Sequence, residues 1–505
     1  MLLDYLLNTL ERDGTPARLP LNRQLYEALR RAILDGRLAA GDRLPSSRQL
    51  TDDLHVSRNT VVAALAQLAV EGYLSMHVGR GTFVRSDIVS PPAPQRGPAQ
   101  PQDTALSARG RVLTTTHTAD ALEVQPFTPG IADFSAFPVA QWQRLQNKHW
   151  RMAYPDLLDY SAQGGHAPLR RALAHYLRFS RSLQVDAEQI IITSGTQQSM
   201  ALCSQILADH GDRVWIEDPA YWGAVKAFQA TGLVLHPVAA DAQGMAPGPA
   251  DDAYPPRIVY VTPSHQYPTG AVMPLARRRQ ILACARAHRA WVLEDDFDSE
   301  FRFDGPPLSS LGSLDPDARV LYLGTFSKVM YPGLKLGYLV VPPGLVDIFQ
   351  RAHYDLNRPG QLPLQAALAE FMASGQFAKA LRRARSGHAQ RRRSLLAALA
   401  PCLGTRAHIT GAEQGLHLCL QFNVAIDDVA VVRRIAALGL LVRPLQPIAC
   451  DGGTCVAWSS AMAMLRSKTS SAMGRCWPMP SCRQWPSCRH TVPLPLVCRP
   501  ICPAT

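Results

Sequence analysis

Apolar positions recur with two different periods along the chain. Near the N-terminus the period is helical and ends at Gly36, and the apolar positions are Leu21, Leu25, Leu29 and Ile33. Further on, short apolar runs alternate with helical patterns, and these runs cover 190–193, 214–216, 258–262, 291–294 and 320–324. Strands separated by helices predict crossover connections, and therefore a mostly parallel sheet with helices on both faces.

These patterns divide the chain into four zones. Residues 10–86 are rich in charge and in short helical patterns. Residues 87–125 are rich in proline and polar side chains, which predicts a semi-extended linker. The α/β pattern occupies 126–454, and the last zone, 455–505, continues neither pattern.

The first zone predicts a winged helix-turn-helix. Ser46 can cap a short helix, and a second helix opens within 56–61 after a tight turn. The start of that second helix would present polar side chains to the major groove: Ser57, Arg58, Asn59 and Thr60. A hairpin follows, with Arg80 between two glycines at its tip, as in a wing. The alternative is a solvated three-helix bundle with incidental arginines.

Four motifs of this zone resemble the GntR-type winged helix, in this order: 41–48 (GDRLPSSR), 56–61 (VSRNTV), 71–74 (EGYL) and 79–84 (GRGTFV). The resemblance implies that the unit binds double-stranded DNA. It implies DNA contacts from Arg48, Ser57, Arg58, Asn59, Thr60 and Gly79. Some members of the family carry an arginine at the position of Val62, so DNA readout there is expected to differ.

The composition fits a globular protein with a polyanionic partner. Its 505 residues suffice for roughly two to four domains. The formal charge of +12 suits DNA, although a basic enzyme has the same balance. No apolar run is long enough for a membrane span and the start lacks a basic signal region, so a cytoplasmic location is expected. The cysteines near the C-terminus lack metal-ligand spacing, so no metal site is expected.

The α/β zone contains the groups that pyridoxal phosphate (PLP) requires. The side chain of a lone lysine in a loop usually lies on the solvated surface. Lys328, however, follows a predicted strand, and its amine can form a Schiff base. Asp295 ends another strand and can pair with the pyridinium nitrogen, while Tyr221 can stack on the ring. A helix N-terminus and two later residues can bind the phosphate: Ser194, Gly195, Thr196, Ser327 and Lys335.

Two further motifs, 262–270 (TPSHQYPTG) and 331–338 (YPGLKLGY), make this zone similar to fold-type I aminotransferases. With the first zone, they make residues 10–454 resemble the MocR group of transcription regulators. The resemblance implies an α/β domain with a mostly parallel sheet of the seven-stranded type behind an N-terminal winged helix. It implies Lys328 as the Schiff-base lysine, Asp295 as the pyridinium partner, and phosphate contacts from Ser194, Gly195, Thr196 and Ser327. It also implies a head-to-tail homodimer, in which each winged helix lies over the partner's large domain.

Two positions depart from the pattern of the group. Phe297 stands where a tyrosine usually donates to the phenolic oxygen of PLP, which removes a hydrogen bond worth on the order of 1 kcal/mol. Lys335 replaces a usual arginine, so a point charge takes the place of a bidentate donor. We expect PLP binding to be weakened but not lost.

The zone 455–505 does not complete the domain before it. Cysteine, tryptophan, proline, serine and arginine cluster there without periodicity, whereas a small C-terminal subdomain still needs a strand and a closing helix. A shift of reading frame near 453–456 explains this composition, because a shifted frame can encode the strand-like segment GLVLGY. The alternative is a disordered extension, which would leave apolar surface of the subdomain uncovered.

Three functions are consistent with the sequence. The first is a transcription regulator whose PLP-binding domain senses an amino acid, an amine or PLP itself. The second is an active PLP-dependent aminotransferase with a DNA-binding module, and the third is a DNA-binding protein whose large domain only dimerises. PLP absorbance that is lost in Lys328→Ala separates the first two from the third. Turnover of amino acid to keto acid separates the second from the first.

Overall fold

The computed structural model of the chain describes residues 2–11, 19–77, 79–87, 106–114, 127, 129–130, 137–151, 155–161, 163–424, 426–445 and 460–463. Contacts within the chain define two units, unit 1 (residues 1–105) and unit 2 (residues 106–505). Among the described residues, no helix combines the length and the apolar character that a membrane span requires.

Unit 1 consists of four helices followed by a hairpin. The helices are α1 (Leu2–Glu11), α2 (Leu21–Leu34), α3 (Ser47–Leu54) and α4 (Arg58–Val70). Strands β1 (Leu74–His77) and β2 (Gly81–Val84) pair antiparallel. The winged helix-turn-helix predicted from the sequence is therefore confirmed: α3 and α4 form the helix-turn-helix, and the hairpin forms the wing.

One apolar cluster holds unit 1 together. It contains Leu25, Leu29 and Ile33, which are three of the apolar positions that predicted α2, together with side chains from α3, α4 and both strands. Leu6 of α1 belongs to the same cluster, although the sequence analysis began this domain at residue 10. Helix α1 is thus part of the packed unit.

Unit 2 contains most of the helices of the chain. They are α5 (Ala108–Thr114), α6 (Val139–Arg151), α7 (Pro155–Leu158), α8 (Ala167–Arg181), α9 (Thr196–Leu207), α10 (Trp222–Thr231), α11 (Leu275–His288), α12 (Val346–Asn357), α13 (Leu362–Ala373), α14 (Gln376–Leu403) and α15 (Asp428–Ala436).

The strands of unit 2 belong to a large and a small sheet. Those of the large sheet are β3 (Ile190–Thr193), β4 (Arg213–Asp218), β5 (Val234–Asp241), β6 (Gly244–Met245), β7 (Ile258–Val261), β8 (Trp291–Asp296), β9 (Val320–Thr325) and β10 (Gly337–Val340). Those of the small sheet are β11 (Ala407–Thr410), β12 (Leu418–Phe422), β13 (Arg443–Pro444) and β14 (Ser460–Ala463).

The large sheet has the strand order β3-β10-β9-β8-β7-β4-β5-β6. Strands β9, β8, β7, β4 and β5 are parallel neighbours, whereas β10 runs antiparallel to both β9 and β3. The two-residue β6 adds a short antiparallel edge strand beside β5. The predicted fold class, a mostly parallel sheet of the seven-stranded type, is confirmed, with this edge strand as an addition.

Both faces of the large sheet are buried. Every residue of β3, β7 and β10 is buried, as expected for a sheet between two helical layers. Ile192 packs with residues of α8 and α13 on one face, whereas Ile191 packs with residues of α9 and α10 on the other. Cys203 of α9 also lies in this second cluster.

The small sheet has the order β11-β12-β14-β13, and all of its neighbours are antiparallel. Strand β14 lies within the zone 455–505, so the structure provides a strand where the sequence analysis expected none in this reading frame. The suggested frame shift near 453–456 and the tail 464–505 lie outside the described residues.

Part of the predicted linker folds onto unit 2. Within 87–125 the structure describes residue 87 and residues 106–114, and α5 is helical there, not extended. Helix α5 lies against α10, because Arg109 donates to the carbonyl oxygen of Ala230 (3.1 Å) and Lys226 Nζ to that of Val112 (2.7 Å). The chain is therefore anchored to unit 2 at α5.

Candidate functional site

The predicted site residues of unit 2 follow the carboxyl ends of strands in the large sheet, where open α/β sheets bind their ligands. Asp295 is the next-to-last residue of β8, and Lys328 follows β9 after Phe326 and Ser327. Because β8 and β9 are parallel neighbours, with Asp295 beside Leu323, their loops leave the sheet side by side.

Asp295 is buried and keeps one carboxylate oxygen without a partner. Its Oδ2 accepts a hydrogen bond from the hydroxyl of Tyr260 on β7 (2.7 Å), whereas Oδ1 has no donor among the described residues. Burial raises the pKa of Asp295 to about 7, although the bond from Tyr260 and the charge of Lys328 act in the opposite direction. A buried oxygen without a donor is costly, so this carboxylate is prepared to accept a bond from a bound group.

Lys328 places its amine close enough to Asp295 for the two charges to interact. Its Nζ donates to the carbonyl oxygen of Gly130 (2.6 Å). Burial lowers the pKa of Lys328, while the negative charges of Asp298 and Asp295 oppose that change. A lowered pKa increases the fraction of neutral amine, which is the nucleophilic form of a lysine.

Tyr221 stands at the start of α10, and its ring is held among polar and aromatic groups. The ring of Tyr267 lies edge-on to it, with the ring centres 5.5 Å apart. Gly223 makes room for this arrangement, since a Cβ there would lie 2.4 Å from the Tyr221 ring. Burial raises the pKa of Tyr221; a hydrogen bond with Gln197 lowers it, and the charge of Asp295 raises it further. The structure thus brings Tyr221 and Asp295 into one site.

Arg443 belongs to the same site, and the sequence analysis missed it. Burial raises the pKa of Tyr267 to about 12, and the positive charge of Arg443 on β13 acts against that change. The same charge lowers the pKa of Tyr221. No motif marks Arg443, because its position near these tyrosines depends on how the small sheet packs on the large one.

The predicted phosphate-binding segment forms the turn between β3 and α9. Gly195 is the residue before α9 and has φ 125°, a conformation that other residues rarely adopt. A Cβ on the neighbouring Gly337 would lie 2.7 Å from the Cα of Gly195, so these two backbones can meet only as glycines. The amides at the start of α9, from Thr196 onward, have no carbonyl partners within the helix and form an anion-binding end.

The other residues predicted to contact the phosphate, Ser194, Ser327 and Lys335, differ in how exposed they are. Ser194 is exposed beside this turn, and its amide donates to Gln198 Oε1 (2.7 Å). Ser327 is half-buried next to Lys328, and its amide donates to Thr325 Oγ1 (3.1 Å). Lys335 lies on an exposed turn with φ 50°, and its side chain makes no hydrogen bond or ion pair with the described residues.

Phe297, which replaces the tyrosine expected from the resemblance, is packed among rings. It lies parallel to His417, with ring centres 6.4 Å apart, and edge-on to Tyr267 at 6.3 Å. Its ring cannot donate a hydrogen bond. Any donor to a group at this point must therefore come from another residue.

His265, Asp298 and His417 form a buried cluster that the sequence analysis did not predict. His265 Nδ1 lies 3.1 Å from Asp298 Oδ2, which also accepts the amide of Leu416 (2.9 Å). The two imidazoles lie nearly face to face with centres 4.2 Å apart, and burial lowers the pKa of His417 well below its usual value. The cluster has the composition of a metal site, with ligand atoms within 4.8 Å of one another. Since Asp298 already accepts two bonds, it holds His265 and the loop of Leu416 in place.

A buried ion-pair network holds in place the strand that carries Asp295. Arg181, at the end of α8, lies 2.7 Å from Asp296 Oδ2 and 3.6 Å from Glu300 Oε1. Burial by itself would raise the pKa of Asp296, but the charge of Arg181 outweighs it and lowers the pKa. Burial raises the pKa of Glu300 to about 7, against the opposing charge of Arg181. Because side chains alternate along β8, Asp296 points away from Asp295 and fixes the strand that carries it.

The predicted DNA-contacting residues lie on the surface of unit 1. Ser57 caps α4, since its Oγ accepts the amide of Thr60 (3.1 Å), and Arg58 and Asn59 follow it fully exposed. Arg48 is exposed on α3. Gly79 and Arg80 are exposed at the turn of the wing, where Gly79 has φ 78°.

The chain is similar to known proteins both in sequence family and in fold. Residues 21–84 match the family of bacterial regulatory proteins called gntR, and residues 133–459 match aminotransferase class I and II. The probable rhizopine catabolism regulatory protein MocR of Rhizobium meliloti is 37% identical over 438 residues, which cover 86% of this chain and 88% of that protein. The pyridoxine biosynthesis transcriptional regulator PdxR of Corynebacterium glutamicum is 34% identical over 426 residues, covering 84% and 87%.

Solved aminotransferases share the fold of unit 2. The α-aminoadipate aminotransferase LysN of Thermus thermophilus, complexed with N-(5'-phosphopyridoxyl)-L-leucine, matches with a TM-score of 0.64 at 26% identity. This match covers 72% of the present chain and 92% of LysN. The kynurenine aminotransferase of Pyrococcus horikoshii matches with a TM-score of 0.62 at 24% identity, covering 72% and 90%.

Proposed function

Because this chain belongs to the transcription regulators that join a GntR domain to a class I and II aminotransferase domain, we propose that it senses a small ligand through PLP. Unit 1 binds DNA, as its family does. We propose that α3, α4 and the wing make the contacts, through Arg48, Ser57, Arg58, Asn59, Thr60, Gly79 and Arg80.

The residues of the unit 2 site fit PLP. When bound, PLP supplies an aldehyde that a lysine amine can bind covalently and a pyridine ring that withdraws electrons. Lys328 would hold the aldehyde, and Asp295 Oδ1 would accept a hydrogen bond from the ring nitrogen. Tyr221 would lie against the ring, and the start of α9 with Ser194, Gly195, Thr196 and Ser327 would hold the phosphate. Lys335 would add a positive charge to the phosphate site from its exposed turn, two residues before Gly337.

A single observation carries this assignment. The buried Asp295 has one oxygen bonded to Tyr260 and the other without a donor, next to a lysine whose pKa burial lowers. Asp296 and Glu300 also keep one oxygen without a donor, but Arg181 pairs with both of them, whereas no cation among the described residues forms an ion pair with Asp295. The arrangement suits a ligand that brings a positively charged ring nitrogen to Asp295 and a carbonyl carbon to Lys328.

The proposed effector is a small amine or amino acid, or PLP itself. An amine competes with Lys328 for the same carbonyl carbon, and its binding would release the lysine. Arg443 provides a positive charge beside Tyr221 and Tyr267, which suits the carboxylate of an amino acid. Regulation requires that this ligand bind more tightly to one arrangement of the protein than to another.

The test is the visible absorbance of purified full-length protein with added PLP, followed by borohydride reduction and peptide mapping. We expect absorbance typical of a lysine-bound PLP and a reduced adduct on Lys328 alone. Lys328→Ala should lose both signals, whereas Lys379→Ala, an exposed lysine on α14, should keep both. A protein that stays colourless, or an adduct spread over surface lysines, would contradict the proposal.

A second candidate function is aminotransferase activity, which the fold shared with LysN favours. Steady formation of keto acid from an amino acid, lost in Lys328→Ala, would support it. Absorbance changes without turnover would support sensing alone.

We also propose the head-to-tail homodimer that the resemblance implies. Without DNA, a 55.2 kDa chain should then sediment as a species of twice that mass. A monomer at micromolar concentration would contradict this part of the proposal.

A further inference from the structure

A small cavity separates α14 from the loop that precedes β12. Its volume is about 40 Å³, and its walls include Arg391 and Arg392 of α14, Phe303, and Gln414 and His417 of the loop. Only His417 also belongs to the cluster beside Lys328. None of the residues that the sequence predicted as functional lines this cavity.

Gln414, which lines the cavity, has an unused donor. It is buried, and its Oε1 accepts a hydrogen bond from the guanidinium of Arg302 (2.6 Å). Since a guanidinium can only donate, this bond fixes which end of the amide is the oxygen. The other end, Nε2, is buried and has no acceptor among the described residues. An unmet buried donor of this kind is costly, and it calls for a ligand with acceptor atoms.

Two guanidinium groups make the cavity positively charged. Arg392 lies over the ring of Phe303 and pairs with the exposed Asp304 (3.2 Å), but its Nε is buried without an acceptor in the described structure. Arg391 adds a second positive charge on the same wall. No acidic side chain is among the described residues that line the cavity. Two residues of the cavity wall, Gln414 and Arg392, therefore each keep a buried donor without an acceptor among the described residues.

We propose that this cavity binds the carboxylate group of a small organic acid. Its volume is about three times the roughly 10–15 Å³ that one water molecule requires, so the three heavy atoms of a carboxylate fit. The two oxygens would accept from Gln414 Nε2 and Arg392 Nε, and their charge would offset that of the guanidinium groups. A carboxylate meets both donors with one group, and its bond to the guanidinium of Arg392 is charge-assisted.

The loop that carries Gln414 also touches the Lys328 site from the other side. The amide of Leu416 donates to Asp298 (2.9 Å), and a Cβ on Gly415 would lie 1.9 Å from the ring of His265. A carboxylate bound in the cavity would therefore stabilise the loop 414–416, which packs against the Lys328 site. The carboxylate itself would lie outside that site. The binding itself does not depend on PLP at Lys328.

The test is thermal unfolding of the full-length protein, followed by tryptophan fluorescence, as sodium acetate replaces sodium chloride at constant ionic strength. We expect acetate to raise the midpoint temperature. The acetate concentration that gives half of the shift should increase at least tenfold in Gln414→Leu and in Arg391→Gln. Arg393→Gln, exposed on the same helix, and Arg443→Gln, at the Lys328 site, should keep the original concentration.

Several results would overturn the proposal. One is an equal shift with acetate and chloride, and another is an unchanged acetate dependence in Gln414→Leu. Loss of the shift in Arg443→Gln alone would place the acetate at the Lys328 site instead. Inorganic phosphate that acts at the same concentration as acetate would overturn the assignment to a carboxylate. If neither cavity variant folds, crystals of the wild-type protein grown with acetate and with chloride decide, and no added density between Gln414 and Arg392 in acetate would refute the site.

Discussion

The two units of this chain place their functional side chains in opposite environments. In unit 1, Arg58, Asn59 and Arg80 project from the surface over a continuous apolar cluster. In unit 2, Asp295 is buried with an unpartnered oxygen and a raised pKa, and Lys328 has a lowered one. The folded state of unit 1 is therefore nearly independent of its ligand, whereas unit 2 carries a cost that a ligand can relieve.

This difference predicts how substitutions will act. At an exposed site, a change should weaken DNA binding and leave the free energy of unfolding almost unchanged. At a buried site, a change should alter stability strongly and in either direction, depending on whether it removes or leaves an unpaired charge. All eight tryptophans lie at or after residue 142, so their fluorescence reports on unfolding in unit 2 alone.

The largest effect is expected for Arg181→Met. Removing this guanidinium leaves Asp296 and Glu300 buried without their cation, which should lower the free energy of unfolding of unit 2 by about 3–5 kcal/mol. Urea unfolding followed by tryptophan fluorescence measures it. Arg178→Met on the same helix removes a half-exposed pair and should cost less than about 1 kcal/mol. Equal losses in the two variants would contradict the role given to the buried network.

Asp295→Asn is expected to stabilise the PLP-free protein. The folded-state pKa of Asp295 is about 7, above its unfolded value, so burying the charge costs stability that grows as pH rises from about 4 to 7. The variant should gain about 1–4 kcal/mol at pH 8 and progressively less toward pH 4. Urea unfolding at several pH values tests this, with the exposed Asp156→Asn as the control. A variant that is less stable at pH 8 than at pH 4, relative to wild type, would refute it.

Arg58→Ala should affect DNA binding alone. Loss of one base-reading arginine costs about 1–3 kcal/mol, which corresponds to roughly 5- to 150-fold weaker binding to the specific site. Fluorescence anisotropy with a labelled operator at fixed salt measures this affinity. Arg31→Ala, exposed on α2, should change it much less. Equal effects of the two substitutions would mean that α4 does not read the bases.

The smallest effect is expected for Ser57→Ala, which removes the cap of α4. Its Oγ accepts the amide of Thr60, and such a cap is worth about 1 kcal/mol. Hydrogen exchange at the Thr60 amide should become about fivefold faster, while Ser57→Thr should preserve the wild-type rate. No change in exchange would show that the cap bond does not limit local opening.

Much of the fold could be predicted because the core strands are buried on both faces. Strands β3, β4, β7, β8 and β9 each begin as a continuous apolar run or contain one, and all five form in the structure. Strand β5 has a mixed pattern of exposed and buried residues that includes Pro237, so it produces no such run. Strand β10 overlaps the apolar run 338–341, which the sequence analysis did not single out as a strand. Helix α5 was missed because the zone around it is dominated by proline and polar residues.

The site could be predicted only where local sequence determines it. The strand end at Asp295, the turn at Gly195 and the lysine after β9 are marked by motifs. The pairing of His265 with Asp298 and the position of Arg443 depend on contacts between distant segments of the chain, which leave no local signal. The exposure of Lys335 also follows from the turn that carries it, which the sequence did not reveal.

The docking of α5 on α10 sets the reach of the DNA-binding unit. If the connection ran freely to residue 125, it would span up to about 130 Å. With α5 anchored, only the stretch between Asp87 and Leu106 is available, which spans at most about 65 Å when fully stretched. That length is close to two turns of the double helix. Lengthening the segment 88–105 should therefore widen the range of operator half-site spacings to which the protein binds.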